Sequence, residues 1–201
     1  MTSITLVQLV NSALQEIGQN AIMALDDETR EARAASRILD FTIHDVLSEH
    51  PWNGASKRVK LPRLSSDPSF EFDHAYQLPD DFVRLNYVEH PESRYRIENG
   101  TILSNLDEMR ISYVGFTKDP NAMGADCRKA ISAKLAAKLV QVLKGDQQLY
   151  RLMMQAYQSA LAEARFQDSS QEGIEQVGGS SWLEARESGV GGSRLNVGIK
   201  D

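Results

Sequence analysis

The feature that most constrains this chain is a block of strand-type sequence set between two blocks of helix-type sequence. At its centre stands Tyr76-Gln77-Leu78-Pro79-Asp80-Asp81-Phe82-Val83-Arg84-Leu85. Pro79 fixes its own φ near a turn value and keeps Leu78 extended. Asp80 and Asp81 are turn formers, and Phe82, Val83 and Leu85 favour a strand. The pattern predicts a central hairpin with strands at 70–78 and 82–88. Arg58-Val59-Lys60-Leu61 alternates like a half-buried strand and sets Arg58 and Lys60 on one face. A solvated face is the plainer reading of that pair; a phosphate or acidic-partner contact is the sharper one. Asn99-Gly100, flanked by strand-type residues 94–97 and 101–103, is a strong two-residue hairpin signal. Residues 109–115 read as one more strand, and Asp119-Pro120 closes the sheet.

The flanking blocks have helical periodicity. Thr5 and Gln8 have capping-box spacing, with Ile4 and Leu9 placed for a hydrophobic staple. Leu6, Leu9, Val10, Ala13, Leu14 and Ile17 recur at helical intervals up to a stop at Gly18. In the connector that follows, Ile22 and Leu25 are expected to point inward. A second helix is expected over 27–49, opened by Asp26-Asp27-Glu28 at its positive dipole end. Its apolar face is Ala35, Ile38, Leu39, Thr42, Val46 and Leu47. Pro51 ends it, and Trp52 is placed to anchor the helix to the sheet. A third helix, 126–144, carries the stripe Ile131, Leu135, Leu139 and Val142. Gly145-Asp146 joins a C-terminal glycine to an N-cap aspartate. A link this short forces the fourth helix, 147–167, antiparallel to the third. Leu149, Leu152, Met153, Ala156, Tyr157, Ala160, Leu161 and Ala164 are spaced for one face of it, the alanines allowing close approach.

These elements predict a mainly helical α+β chain, with an antiparallel sheet inserted into a helical body. The boundaries are 1–52 and 119–167 for the helices, 53–118 for the β part, and 168–201 for an extended C-terminal arm. In the arm, flexible glycine-serine runs are punctuated by Trp182, Leu183, Leu195, Val197 and Ile199. Isolated apolar anchors of this kind suit a segment that orders on a partner.

Composition narrows the function. The 201 residues carry a net charge of −6, which argues against a duplex-DNA binder, because such binding rests on Lys and Arg neutralising phosphates. The single cysteine, Cys127, excludes an internal disulfide framework and points to a reducing compartment. Near a helix N-terminus its pKa could be lowered, but a buried structural thiol is the preferred reading. No apolar run approaches the ~18 residues of a membrane helix, and the N-terminus lacks a signal-peptide pattern. Phosphate-loop, dinucleotide and zinc-protease motifs are missing. His44, His50, His74 and His90 lack ligand spacing. Asp80 and Asp81 point to opposite faces if extended, so they are no acid–base pair. No catalytic residue, cofactor site or metal site is expected.

One family fits the order of the segments. Val10-Asn11-Ser12-Ala13-Leu14-Gln15-Glu16-Ile17-Gly18-Gln19 is followed by Ala24-Leu25-Asp26. Then come Ala34-Ala35-Ser36-Arg37-Ile38-Leu39, Pro51-Trp52-Asn53, the stretch from Tyr76 to Phe82, and the closing helix pair. Over residues 4–167 the chain resembles the tail tubular protein A family of short-tailed phages, which are head-to-tail adaptors of the virion. The resemblance implies an antiparallel helical bundle with an inserted β domain. It implies a ring, usually of twelve copies, between the portal protein and the tail nozzle or tube, with packaged double-stranded DNA passing through its lumen without sequence-specific binding. It implies assembly in the host cytoplasm, and an arm that binds the portal or a neighbouring subunit, here through Trp182, Leu183, Leu195, Val197 and Ile199. The family brings no established catalytic residues. A cell-wall glycan-degrading enzyme of the tail is the alternative, and a transcription-related DNA-binding module is a third, disfavoured by acidity.

Overall fold

Helix α1 (Leu6–Glu16) starts where the capping-box spacing places it. Thr5 Oγ1 accepts from Gln8 N–H, and Gln8 Oε1 accepts from Thr5 N–H. It ends at a left-handed Gly18, with Gln19 N–H reaching back to Leu14 O. The computed structural model describes residues 3–171. Among these are four α-helices and two three-stranded antiparallel sheets, so the fold class is α+β.

Asn11 fixes the connector after α1. Its side chain donates to Ile22 O and accepts from Ile22 N–H, which holds Ile22 in the core. Leu25 packs against that core half-buried. Helix α2 (Arg30–Glu49) begins three residues later than the acidic run suggested. Its N-cap is Thr29, whose hydroxyl accepts from Ala32 N–H. Asp27 is used elsewhere: its carboxylate caps the turn at Met23 and Ala24. Trp52 is buried, and its indole N–H donates to Val46 O at 2.8 Å. A short 3-10 turn (Asn53–Ala55) leads into the sheets; Gly54 is required there because a Cβ would lie 2.8 Å from Gly124 N.

All six strands fall between α2 and α3 in the chain. Sheet one has the order β1 (Ser56–Lys60), β6 (Arg110–Gly115), β3 (Phe82–Val88). Sheet two has the order β2 (His74–Gln77), β5 (Thr101–Ser104), β4 (Tyr95–Glu98). The β4–β5 turn is the expected hairpin, with positive φ at both Asn99 and Gly100. The central hairpin does not exist: β2 and β3 belong to different sheets. The two edges of β2 are already occupied, one by β5 and the other by the chain at 62–64, where Leu64 N–H bonds Ala75 O and Gln77 N–H bonds Pro62 O. The Pro79-Asp80-Asp81 turn does form, closed by Phe82 N–H to Pro79 O at 3.0 Å. It therefore carries the chain from one sheet to the other. Residues 70–73 are not strand, and Phe70 is exposed. Tyr76 and Ile102 from sheet two, with Leu78 just past β2, meet Val88, Ile111 and Tyr113 from sheet one in a shared core.

The helical core is larger. Helix α3 (Ala125–Leu143) packs against both α1 and α2 and buries Ile131, Leu135 and Leu139 as expected. Cys127 is buried in it. Val142 departs from the expected stripe: it is 53% exposed, in the last turn, where it lines an open groove. Helix α4 (Gln147–Gln171) follows Gly145 at positive φ and Asp146, whose carboxylate accepts from Gln148 and Leu149 N–H. Lys129 meets Glu163, and Lys134 lies over the Tyr157 ring, so α4 runs antiparallel to α3. The buried arc of α4 is Tyr157, Ala160, Leu161 and Ala164. Leu152 and Ala156 fall outside that arc and are exposed, because at 100° per residue they lie well round from its centre. Helix α4 also runs on to Gln171, past the expected end at 167.

Candidate interaction surfaces

The five arm residues on which the sequence places partner binding, Trp182, Leu183, Leu195, Val197 and Ile199, lie outside the described residues. In the described part, side-chain chemistry gathers at several places.

The first is a polar cluster where the end of α2 meets α3 and α4. Glu49 Oε1 takes the Lys134 ammonium at 2.5 Å, and Glu49 Oε2 accepts from the Tyr157 hydroxyl at 2.7 Å. Lys134 is only 12% exposed and also sits 5.0 Å from the centroid of the Tyr157 ring. Lys138 pairs with Asp45 one turn away, and Arg165 donates to Glu49 O. Burial works to raise the Glu49 carboxyl, but the bonds from Lys134 and Tyr157 outweigh it and hold the group below the usual carboxylate range. Burial, and then the Glu49 carboxylate, push the Tyr157 phenol up. Every member has a partner, so the cluster reads as a lock of α4 onto α2 and α3. It was not foreseen, since its members are 85 and 108 residues from Glu49. Its only sequence trace is a lysine and a tyrosine among apolar helix positions.

The second place is an open groove of about 460 Å³ between α1 and α3. Ile4 and Leu9 give it apolar walls; Ser12, Glu16, Lys129 and Ser132 give it polar ones. The Ser132 hydroxyl is buried there without a hydrogen-bond partner among the described residues, and burial raises the Glu16 carboxyl. Glu16 is the groove's one carboxylate among its lining residues. A glycosidase-type site needs two carboxyl groups across the scissile bond.

The third is the outer face of sheet one. Arg58 and Lys60 do share it, as the alternation predicts. The Arg58 guanidinium stacks 5.9 Å from the Tyr87 ring centroid, Lys60 meets Glu108 at 2.5 Å, and Arg110 bridges Glu89 and Glu108. Most of the positive charge is thus compensated in place.

The aspartates of the central turn are separated in role. Asp81 is half-buried, with Lys57 on one oxygen at 2.6 Å and the Tyr113 hydroxyl on the other at 3.0 Å, while Asp80 is exposed. Burial opposes ionisation of Asp81, yet those two bonds hold its carboxyl below the ordinary range. Among the described residues no group of three His, Cys, Asp or Glu side chains is placed to hold a metal ion. No helix among them is long and apolar enough to cross a membrane. In comparisons with known proteins, no family model matches the chain, and no curated protein matches it.

Proposed function

We propose that the chain is a head-to-tail adaptor of a short-tailed phage: a helical bundle with an inserted β domain that joins a ring between the portal and the tail nozzle or tube. The observation that carries this reading is where the resembling segments fall. Asn11 clamps the α1–α2 connector through Ile22, Trp52 ties the end of α2 to the core, and the stretch from Tyr76 to Phe82 crosses between the sheets. The α3–α4 pair closes the order. The resembling segments therefore include three joints of the fold, in chain order, besides stretches within α1 and α2. In this reading the ring has about twelve copies, as the family does, and acts in the virion at the head-tail interface. DNA slides through a lumen that repels it, consistent with the chain's net charge of −6.

The protein is expected to be monomeric alone and to assemble on its portal, with Trp182 as the leading anchor of the arm. The test is to mix the full chain with the portal protein encoded in the same genome and to measure mass by native mass spectrometry and particle shape by negative stain. A portal-bound ring supports the adaptor reading, and weaker occupancy with Trp182→Ala supports the arm's part in it. Free portal beside free monomer at micromolar concentration overturns the reading.

A further inference from the structure

Helix α2 opens with Arg30, Arg33 and Arg37 in its first turns. Cations in the first turn are disfavoured by the positive end of the helix dipole, so Arg30 and Arg33 gain nothing from the dipole. Spacings of three and four put them on one face, and Phe41 and His44 extend the same stripe. All five are exposed, Phe41 by 72%. Arg30 braces the end of α3, donating to Leu143 O at 2.9 Å, and Arg33 donates to Glu28 O. Neither meets a carboxylate among the described residues, and Arg37 makes no hydrogen bond or ion pair there. Lys57, Lys60, Arg94, Arg110, Lys118, Lys129, Lys134 and Lys138 each hold an acidic partner. Other cations without one among the described residues, such as Arg58, Arg84, Arg128 and Arg165, are spread over β1, β3, α3 and α4, whereas Arg30, Arg33 and Arg37 share one helix face. Beside the stripe runs an open groove of about 470 Å³, whose apolar floor includes Ile38, Val142 and Leu143.

We propose that this face of α2 is a docking surface for an acidic segment of another protein. Its carboxylates would sit on Arg33 and Arg37, and one of its apolar side chains would enter the groove by Ile38 and Val142. Arg33 and Arg37 are one helical turn, about 6 Å, apart, which matches acidic residues one turn apart on a partner helix. Guanidinium groups bind carboxylates in a two-pronged fork. An anionic nucleic-acid backbone would satisfy the arginines but leave Phe41 and the apolar floor without a counterpart. Arginine, an exposed aromatic ring and an apolar pocket together are the composition of protein–protein hot spots. The inference does not depend on the adaptor reading, and its test uses no portal.

The probe is a fluorescein-labelled helical peptide with glutamates one turn apart and a central leucine, titrated with the full chain by fluorescence anisotropy. Controls are the same peptide with lysines for glutamates, and a 20-base single strand and a duplex DNA. The expected result is saturable binding of the glutamate peptide that weakens about fivefold or more in Arg37→Glu and as salt rises from about 0.05 M to 0.3 M. Arg37 has no hydrogen bond or ion pair to lose among the described residues, so an unchanged melting temperature is expected and shows that the variant is folded. The Arg33→Glu/Arg37→Glu double variant deepens the loss. Equal affinity for wild type and Arg37→Glu, or no binding of the glutamate peptide, overturns the proposal. Arg37-dependent binding of DNA in preference to the peptide also overturns it, and assigns the face to nucleic acid.

Discussion

The helices and the sheets bury their apolar surface in different ways. The helical side has one continuous core, from Leu9 in α1 to Ala164 in α4, with Trp52 and Val114 drawn into it. One of its ion pairs, Lys134–Glu49, is set into that packing, with Lys134 only 12% exposed, while Lys129–Glu163 stays on the surface. The sheets divide their burial between a shared core around Tyr76 and Ile102 and a small cluster around Phe72 on the other side of sheet two. Their charges lie on the rim: Lys60 is 56% and Arg94 71% exposed. Exposed pairs are screened by water and salt and contribute little. The helical side is therefore held by packing, and the sheets mainly by ladder hydrogen bonds and register. Regions with less buried surface open at lower free energy, so sheet two is expected to open before α3.

The sharpest probe of the helical side is Trp52→Ala, expected to cost about 3–5 kcal/mol through lost packing and the orphaned Val46 carbonyl. A chemical melt checks it, and a loss below about 1 kcal/mol would show that Trp52 is no anchor. Next is Ile102→Ala in the shared β core, expected to cost about 2–4 kcal/mol. Hydrogen exchange on this variant tests the contrast itself. Faster exchange confined to β2, β4 and β5 sustains it, whereas equal acceleration in α3 would mean that both regions open as one unit.

Lys134→Ala is expected to cost about 1–3 kcal/mol, because it leaves the Glu49 carboxylate partly buried without its cation. Adding Glu49→Gln should recover part of that loss in a thermal melt; no recovery would break the link between the two side chains.

Burial and Asp81 push the Tyr113 phenol up to about 12, and Tyr157 is raised as well. For a raised folded pKa, stability is intact below the unfolded value near 10 and is lost as pH rises toward the folded one. Melting temperature is expected to fall from about pH 10 upward, and less steeply in Tyr157→Phe. An identical alkaline slope in the variant would remove Tyr157 from the account. Glu49 and Asp81, both held low, act at the other end: their stabilisation is present above pH 4.5 and is lost as pH falls through their folded values. The smallest effect belongs to the sheet rim, where Glu108→Gln is expected to leave the melting temperature unchanged within error.

The elements were legible where the signal is local. The Thr5–Gln8 capping box, the stop at Gly18, the Asn99-Gly100 turn and the Gly145-Asp146 link each depend on a few neighbouring residues, and each stands where the sequence puts it. Polar residues that compete for the same backbone were harder to rank. Asp27 looked like part of the α2 start, yet the structure spends it on the preceding turn and caps the helix with Thr29. Of the candidate surfaces, the alternation of Arg58 and Lys60 was readable, whereas the lock around Glu49 was not.

By itself, then, the sequence determined the helices, the turns and most of the apolar faces, because capping, φ preference and periodicity act within a turn or two of chain. Only the tertiary structure decided which strands pair. Pro79-Asp80-Asp81 specifies a turn, but whether the strands on either side pair with each other depends on what else claims their edges. Segment 62–64 and β5 flank β2, and β6 takes β3, so the same turn became a crossing between sheets. Tertiary packing likewise left Val142, Leu152 and Ala156 outside the core, since periodicity defines a face but not how far round the neighbouring helices cover it. It also brought Glu49, Lys134 and Tyr157 together, because a contact between distant residues is set by the packing of whole elements and leaves no spacing in the chain to read.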